Sequence, residues 1–137
     1  MSRIFLDTSP FIYYLDGFEP FASKVEKFLL SAMDNDDFLY TSTITDTEYL
    51  VHPYREKSYI KIIAYKSFLQ NIHILKTGID ENIAEKAAQI RAFYQGIKTA
   101  DSLQLAAAIG SGCDLFLTND KQLKQVSEIT VLLVDEL

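Results

Sequence analysis

Ile4-Phe5-Leu6-Asp7-Thr8-Ser9-Pro10 is the stretch on which the fold turns. With Arg3, its apolar residues make a short buried strand that stops at an acid. Pro10 then suits the first turn of a helix, with Ser9 as the cap and Gly17 as the end of the segment. The same alternation runs outward along the chain. Glu19 to Met33 reads as an amphipathic helix, with Phe21, Val25, Phe28, Leu29 and Ala32 on one face. After the polar turn Asp34-Asn35-Asp36-Asp37, Phe38 to Ser42 forms a second strand. A helix from about Thr43 to Val51 should stop near Pro53, because proline breaks a helix interior. Ser58 to Gln70 forms the next helix, with Ile62, Ile63 and Leu69 toward the core, and Ile72 to Leu75 a third strand that contains His73.

Asp80 caps a helix that carries Ile83, Ala87, Ile90 and Tyr94 on one face and ends at Gly96. Thr99, as a cap, opens a nearly all-apolar helix to Ile109, closed by Gly110 and Gly112 and buried on most sides. Leu115 to Thr118 is a fourth strand, a short helix follows to about Val126, and Thr130 to Val134 is a fifth strand. Strands alternating with helices imply an α/β fold: a parallel sheet covered on both faces. Ligands of such folds bind beyond the carboxyl ends of the strands, at a topological switch point.

The bulk composition agrees with one globular domain over residues 1–137, since 48% of the chain is hydrophobic and that supports a sizeable core. No apolar run reaches membrane-spanning length. The N-terminus reads as lacking a signal peptide, because Asp7 interrupts its apolar stretch. The one cysteine, Cys113, reads as a small buried hydrophobe in a cytoplasmic protein. A net charge of −6 argues against gripping nucleic acid by bulk electrostatics. It does not exclude a nucleic-acid enzyme, because acids around a metal are not free surface charge. Arg55, Lys57, Lys61 and Lys66 remain as a local basic cluster, or as an ordinary solvated helix face.

Asp7, Glu48, Asp101 and Asp120 each fall near a junction between elements. Each has a purely structural explanation. Asp7 and Asp120 could cap the helices that follow them, Asp101 could favour its helix dipole, and Glu48 could be a solvated helical residue. Together they suggest one carboxylate pocket, and such a pocket suits a hard divalent cation. Asp101 opens a segment that is otherwise small or apolar, where a buried charge needs a partner. Thr118 and Asn119 add neutral polar groups beside Asp120. His52 and His73 lie apart from the acids and read as structural. There is no Walker loop or dinucleotide fingerprint, and no Cys/His cluster for zinc.

Leu6-Asp7-Thr8-Ser9, Glu48 in the helix after the second strand, Thr99-Ala100-Asp101-Ser102-Leu103-Gln104-Leu105-Ala106-Ala107-Ala108 and Leu117-Thr118-Asn119-Asp120 together resemble the PIN-domain family, and among its small members the VapC-type toxins of toxin–antitoxin pairs. The resemblance spans nearly the whole chain. It implies a three-layer α/β/α sandwich around a mainly parallel five-stranded sheet in which the first and fourth strands are adjacent. It also implies a Mg²⁺- or Mn²⁺-dependent ribonuclease that hydrolyses RNA phosphodiester bonds. On this resemblance Asp7 and Asp101 hold metal, Glu48 and Asp120 complete the cluster partly through water, and Ser9 and Thr118 support it. A small antitoxin and a homodimer are its implied partners. Asp46 competes with Glu48 for the second acidic position; Glu48 is favoured because the apolar Tyr49-Leu50-Val51 follows it. Lys57, Lys61 and Lys98 are candidates for contact with RNA on local charge alone. A PIN nuclease of RNA processing, or a non-catalytic PIN-like binding module, are the alternative readings.

Overall fold

The computed structural model describes residues 1–137. Its elements run in chain order β1 (Arg3–Leu6), α1 (Thr8–Asp16), α2 (Phe21–Asp34), β2 (Phe38–Ser42), α3 (Thr43–Arg55), α4 (Tyr59–Asn71), β3 (Leu75–Thr77), α5 (Glu81–Phe93), α6 (Thr99–Gly110), β4 (Leu115–Thr118), a 3-10 turn (Lys121–Gln125), β5 (Thr130–Leu133) and a second 3-10 turn (Val134–Glu136). The five strands form one sheet in the order β3-β2-β1-β4-β5, and every pairing is parallel. The three-layer α/β/α expectation therefore holds, and so does the adjacency of the first and fourth strands.

Strand alternation divides the core into two layers. Phe5, Phe116 and Val131 point to one side, where Ala87 and Ile90 of α5 and Leu105 to Ala108 of α6 cover them. Ile4, Leu6, Leu39 and Leu117 point to the other, against Phe11 of α1, Val25 and Leu29 of α2, and Tyr65 and Leu69 of α4. Phe5 and Phe116 are register partners whose rings stack at 5.3 Å, both fully buried. Truncating Phe116 to alanine should therefore destabilise the protein by about 3–5 kcal/mol, read as a fall in the urea midpoint with an unchanged slope.

Several boundaries differ from the sequence expectation, each for a local reason. The cap of α1 is Asp7 rather than Ser9: its carboxylate accepts from the Thr8 N–H, and the helix begins two residues before Pro10. Helix α3 runs through Pro53 to Arg55. The proline ring is buried, and a further turn closes behind it with the Glu56 N–H on the His52 carbonyl at 3.0 Å. β3 starts only at Leu75, because His73 adopts a left-handed φ of 54°. The Ile74 N–H turns back onto the Leu69 carbonyl at 3.0 Å, so this segment closes α4 and is not strand. Ile63 is 63% exposed while Ile62, Tyr65 and Leu69 are buried; those three share one helical stripe, and Ile63 lies a residue off it. Thr99 is the first residue of α6 and not its cap, since its hydroxyl accepts from Arg91 Nη1 at 2.9 Å. The segment after Asp120 is 3-10 rather than α-helical. Cys113 is half-buried and packs against the core, and burial pushes its thiol up to about 12.

Candidate functional site

The topological switch point lies between β1 and β4, because connections leave these neighbours toward opposite edges of the sheet. Their register aligns Leu6 with Leu117, and the Asp7 N–H continues the ladder onto the Leu117 carbonyl at 3.0 Å. Asp7 and Thr118 thus emerge side by side at the carboxyl edge. Thr118 donates its hydroxyl to Asp7 Oδ2 at 2.8 Å and accepts from the Asp120 N–H at 3.2 Å. One threonine ties together the first and last acids of the set.

Asp7 is 6% exposed. Its Oδ1 accepts from the Thr8 N–H at 2.9 Å and from Gln104 Nε2 at 3.3 Å. No lysine or arginine pairs with it among the ion pairs of the fold. Desolvation pushes its carboxyl up to about 6; the hydrogen bonds from Thr118 and Thr8 oppose this, and the charges of Asp101 and Glu48 add to it. Asp101, in the first turn of α6, is also raised, first by desolvation and then by Asp120 and Glu48, with Lys98 acting in the opposite sense. Glu48 Oε1 accepts from the Thr8 hydroxyl at 2.6 Å. Asp120 caps the 3-10 turn through the Gln122 N–H at 3.0 Å. The charges of Asp101 and Glu48 thus bear on Asp7, and those of Asp120 and Glu48 on Asp101, across the end of the sheet. The capping roles foreseen for Asp7 and Asp120 are real and coexist with this clustering.

The fold separates Glu48 from Asp46. Asp46 accepts from the buried Tyr65 hydroxyl at 2.8 Å and pairs with Lys76 at 3.0 Å. It borders the largest cavity, about 870 Å³, shared with Lys66, His73 and Lys76 and remote from the other acids. That cavity contains none of Asp7, Glu48, Asp101 or Asp120, so size is a poor guide to the chemistry here. Glu48 instead borders a recess of about 250 Å³ with Phe18, Tyr49, His52 and Lys61. His52 is engaged by Glu56 at 3.3 Å.

The supporting residues also divide. Thr118 is inside the site. Ser9, next to it in α1, has a buried hydroxyl without a hydrogen-bond partner. Asn119 faces elsewhere: its amide donates to the Tyr13 hydroxyl at 3.2 Å and accepts from the Asp135 N–H at 3.1 Å, pinning the C-terminal turn. Among the basic candidates, Lys98 is near enough to lower Asp101. Lys61 lies on the Glu48 recess but is engaged by Glu56 at 3.1 Å, and Lys57 occupies a left-handed turn after α3. The polar group not anticipated as part of the site is Gln104. The available signal was an amide one helical turn after Asp101 in a segment that is otherwise small or apolar.

No three His, Cys, Asp or Glu side chains converge closely enough to enclose an ion by themselves. The donor set still fits a hard cation of the Mg²⁺ type, which takes one or two carboxylates directly and retains several waters. Asp7 is buried and Asp101 partly so; burial first, and acidic neighbours second, raise both, and Lys98 is the one cation that lowers Asp101, so an ion there would offset negative charge. The unpartnered Ser9 hydroxyl adds an oxygen suited to a bound water.

A family model of the PIN domain matches residues 4–129, and the chain belongs to that family. Comparison with curated protein sequences gives no significant match. Among solved structures, FitAcB from Neisseria gonorrhoeae is 25% identical with a TM-score of 0.73, over 98% of this chain and 99% of that one. VapBC2 from Rickettsia felis, described as bound to a DNA fragment from its promoter, superposes with a TM-score of 0.80 at 15% identity, over 96% and 98% of the two chains. VapC20 from Mycobacterium tuberculosis, described as a toxin that cleaves the sarcin–ricin loop, has a TM-score of 0.70 at 14% identity, over 93% and 98%. No helix of this chain is long and apolar enough to cross a membrane.

Proposed function

We propose that this single-domain protein is a divalent-metal-dependent endoribonuclease, the toxin of a type II toxin–antitoxin pair. The observation that carries the reading is Asp7: a buried carboxylate with donors on both oxygens and no basic partner, raised by its burial and further by its acidic neighbours. The family is one of nucleases. The similar complexes named VapBC2 and FitAcB, and the RNA-cleaving toxin VapC20, support an RNA substrate and a small protein antitoxin. On the same reading the protein is cytoplasmic and works as a homodimer.

Asp7 and Asp101 would hold Mg²⁺ or Mn²⁺ directly, with Glu48 and Asp120 reaching it partly through water. Bound there, a divalent ion supplies Lewis acidity, lowering the pKa of water and offsetting charge that develops on a phosphate. The chain's own groups do the positioning. Thr118 fixes Oδ2 of Asp7 and the backbone of Asp120. Thr8 fixes Glu48, and the Glu48 carboxylate would orient a water. Lys98, beside Asp101, and Lys61, on the Glu48 recess, are the cations available to RNA phosphates in an otherwise acidic protein.

Cleavage of end-labelled RNA by the purified protein in Mg²⁺ or Mn²⁺ tests the reading. Glu48→Ala should slow cleavage roughly 10–100-fold, the usual cost of losing a water-mediated group at a metal. Asp46→Ala should leave the rate unchanged, because Asp46 is committed to Tyr65 and Lys76. The reverse order would assign the second acidic position to Asp46, and no metal-dependent cleavage by wild type would remove the ribonuclease reading.

A further inference from the structure

We infer that Gln104 is a positioning residue for the metal centre: through its amide, the helix that delivers Asp101 also sets the orientation of Asp7. This rests on the metal-dependent reading above and deepens it.

Gln104 is fully buried, which is unusual for an amide unless its donors and acceptor are satisfied. Its surroundings define the direction of each bond. The Thr41 hydroxyl donates to the Leu6 carbonyl at 2.8 Å, so in the Thr41–Thr45 contact at 2.8 Å Thr45 is the donor. Thr45 Oγ1 is then free to accept from Gln104 Nε2, at 2.8 Å. Gln104 Oε1 accepts from the Ser42 hydroxyl. One Nε2 hydrogen remains, and it is directed between Asp7 Oδ1 at 3.3 Å and Thr8 Oγ1 at 3.4 Å. Reversing the amide would set its oxygen against the Asp7 carboxylate.

The consequence concerns lone pairs. A carboxylate offers about four acceptor sites. On Asp7 the Thr8 N–H and Gln104 occupy Oδ1, and Thr118 occupies one site of Oδ2. What remains for a ligand is therefore on Oδ2. The Gln104 amide also reaches Thr8, which holds Glu48. Gln104 lies three residues after Asp101 on α6, so both project on the same side of the helix. A single helix thus carries one carboxylate of the centre and the group that orients another.

Mn²⁺ binding, followed by the electron paramagnetic resonance of free Mn²⁺, tests this without relying on activity. Gln104→Met keeps the volume and removes the amide; it should raise the Mn²⁺ Kd on the order of 10–100-fold, and saturating Mn²⁺ should restore much of the RNA cleavage. Gln104→Asn, too short to reach Asp7, should act in the same direction and carries the test if the Met variant does not fold. Ser42→Ala removes the donor on the far side of the amide and the cap of α3, but leaves the bonds to Thr45 and Asp7 in place, and should raise the Kd by much less than the Gln104 variants. An unchanged Kd in the folded Gln104 variants overturns the inference, as does equal weakening by Ser42→Ala, which would mean loss of packing alone. If wild type itself binds no Mn²⁺, the metal-dependent reading fails, and this role for Gln104 falls with it.

Discussion

Asp101→Asn should abolish RNA cleavage while leaving the fold intact. Asparagine keeps the size and polarity of the side chain and removes its charge. A direct metal ligand contributes several kcal/mol of charge stabilisation in the transition state, so the expected loss is about 10³-fold. Helix α6 should survive, because no side chain caps its first turn and Asp101 does not hold it in place by hydrogen bonding. Circular dichroism and the urea midpoint should match wild type to within the small change expected of relieved repulsion among the acids. Asp7→Asn should show a comparable kinetic loss. Cleavage by either variant at the wild-type rate would mean that the carboxylates meet at the sheet edge for some other purpose.

Asp7→Asn should also make the metal-free protein more stable, by an amount that depends on pH. Burial raises the folded-state pKa of Asp7 from 3.8 to about 6. Well below pH 3.8 the carboxyl is protonated in both folded and unfolded chains, and its ionisation has no effect on stability. As pH rises toward 6, the unfolded chain releases the proton first, so the folded state is progressively penalised. A shift of about two pH units corresponds to roughly 3 kcal/mol at neutral pH. Asparagine can cap α1 in place of aspartate and has no such penalty. Urea unfolding in EDTA should therefore give stabilities that converge at about pH 3 and a more stable variant at about pH 7.5. Mn²⁺ should reverse the order by stabilising wild type alone, through its preference for the folded state. A stability difference that does not change with pH would show that Asp7 is not penalised by its own charge.

These effects trace back to features of uneven legibility. The strand ends at Leu6-Asp7 and Leu117-Thr118 could be read because a buried parallel strand is a short apolar run and its end is marked by the first polar residue. The burial of α6 could be read from its composition. The end of α3 could not, because the rule against proline in helices ignores the burial of the Pro53 ring. The start of β3 was hidden by the left-handed turn at His73, a backbone conformation that histidine does not announce. Ile63 was expected in the core and is exposed, while Tyr65 is buried, because α4 has hydrophobic residues on several faces and only packing selects the buried stripe. Within the site, the acids were visible as residue types at junctions. The choice between Asp46 and Glu48 depended on which face of α3 meets α1, and the role of Gln104 on which groups its buried amide meets across three other segments.

On the metal-dependent reading, Asp7 and Asp101 share a divalent cation at the carboxyl edge of β1 and β4. The most direct measurement is anomalous scattering from a crystal soaked in Mn²⁺. One peak is expected between these two carboxylates, about 2.0–2.3 Å from an oxygen of each, with water completing its coordination, and the peak should be absent from Asp101→Asn crystals. A crystal that binds Mn²⁺ elsewhere, such as the Asp34–Asp37 turn or the cavity beside Asp46, and leaves the Asp7–Asp101 position empty would contradict it.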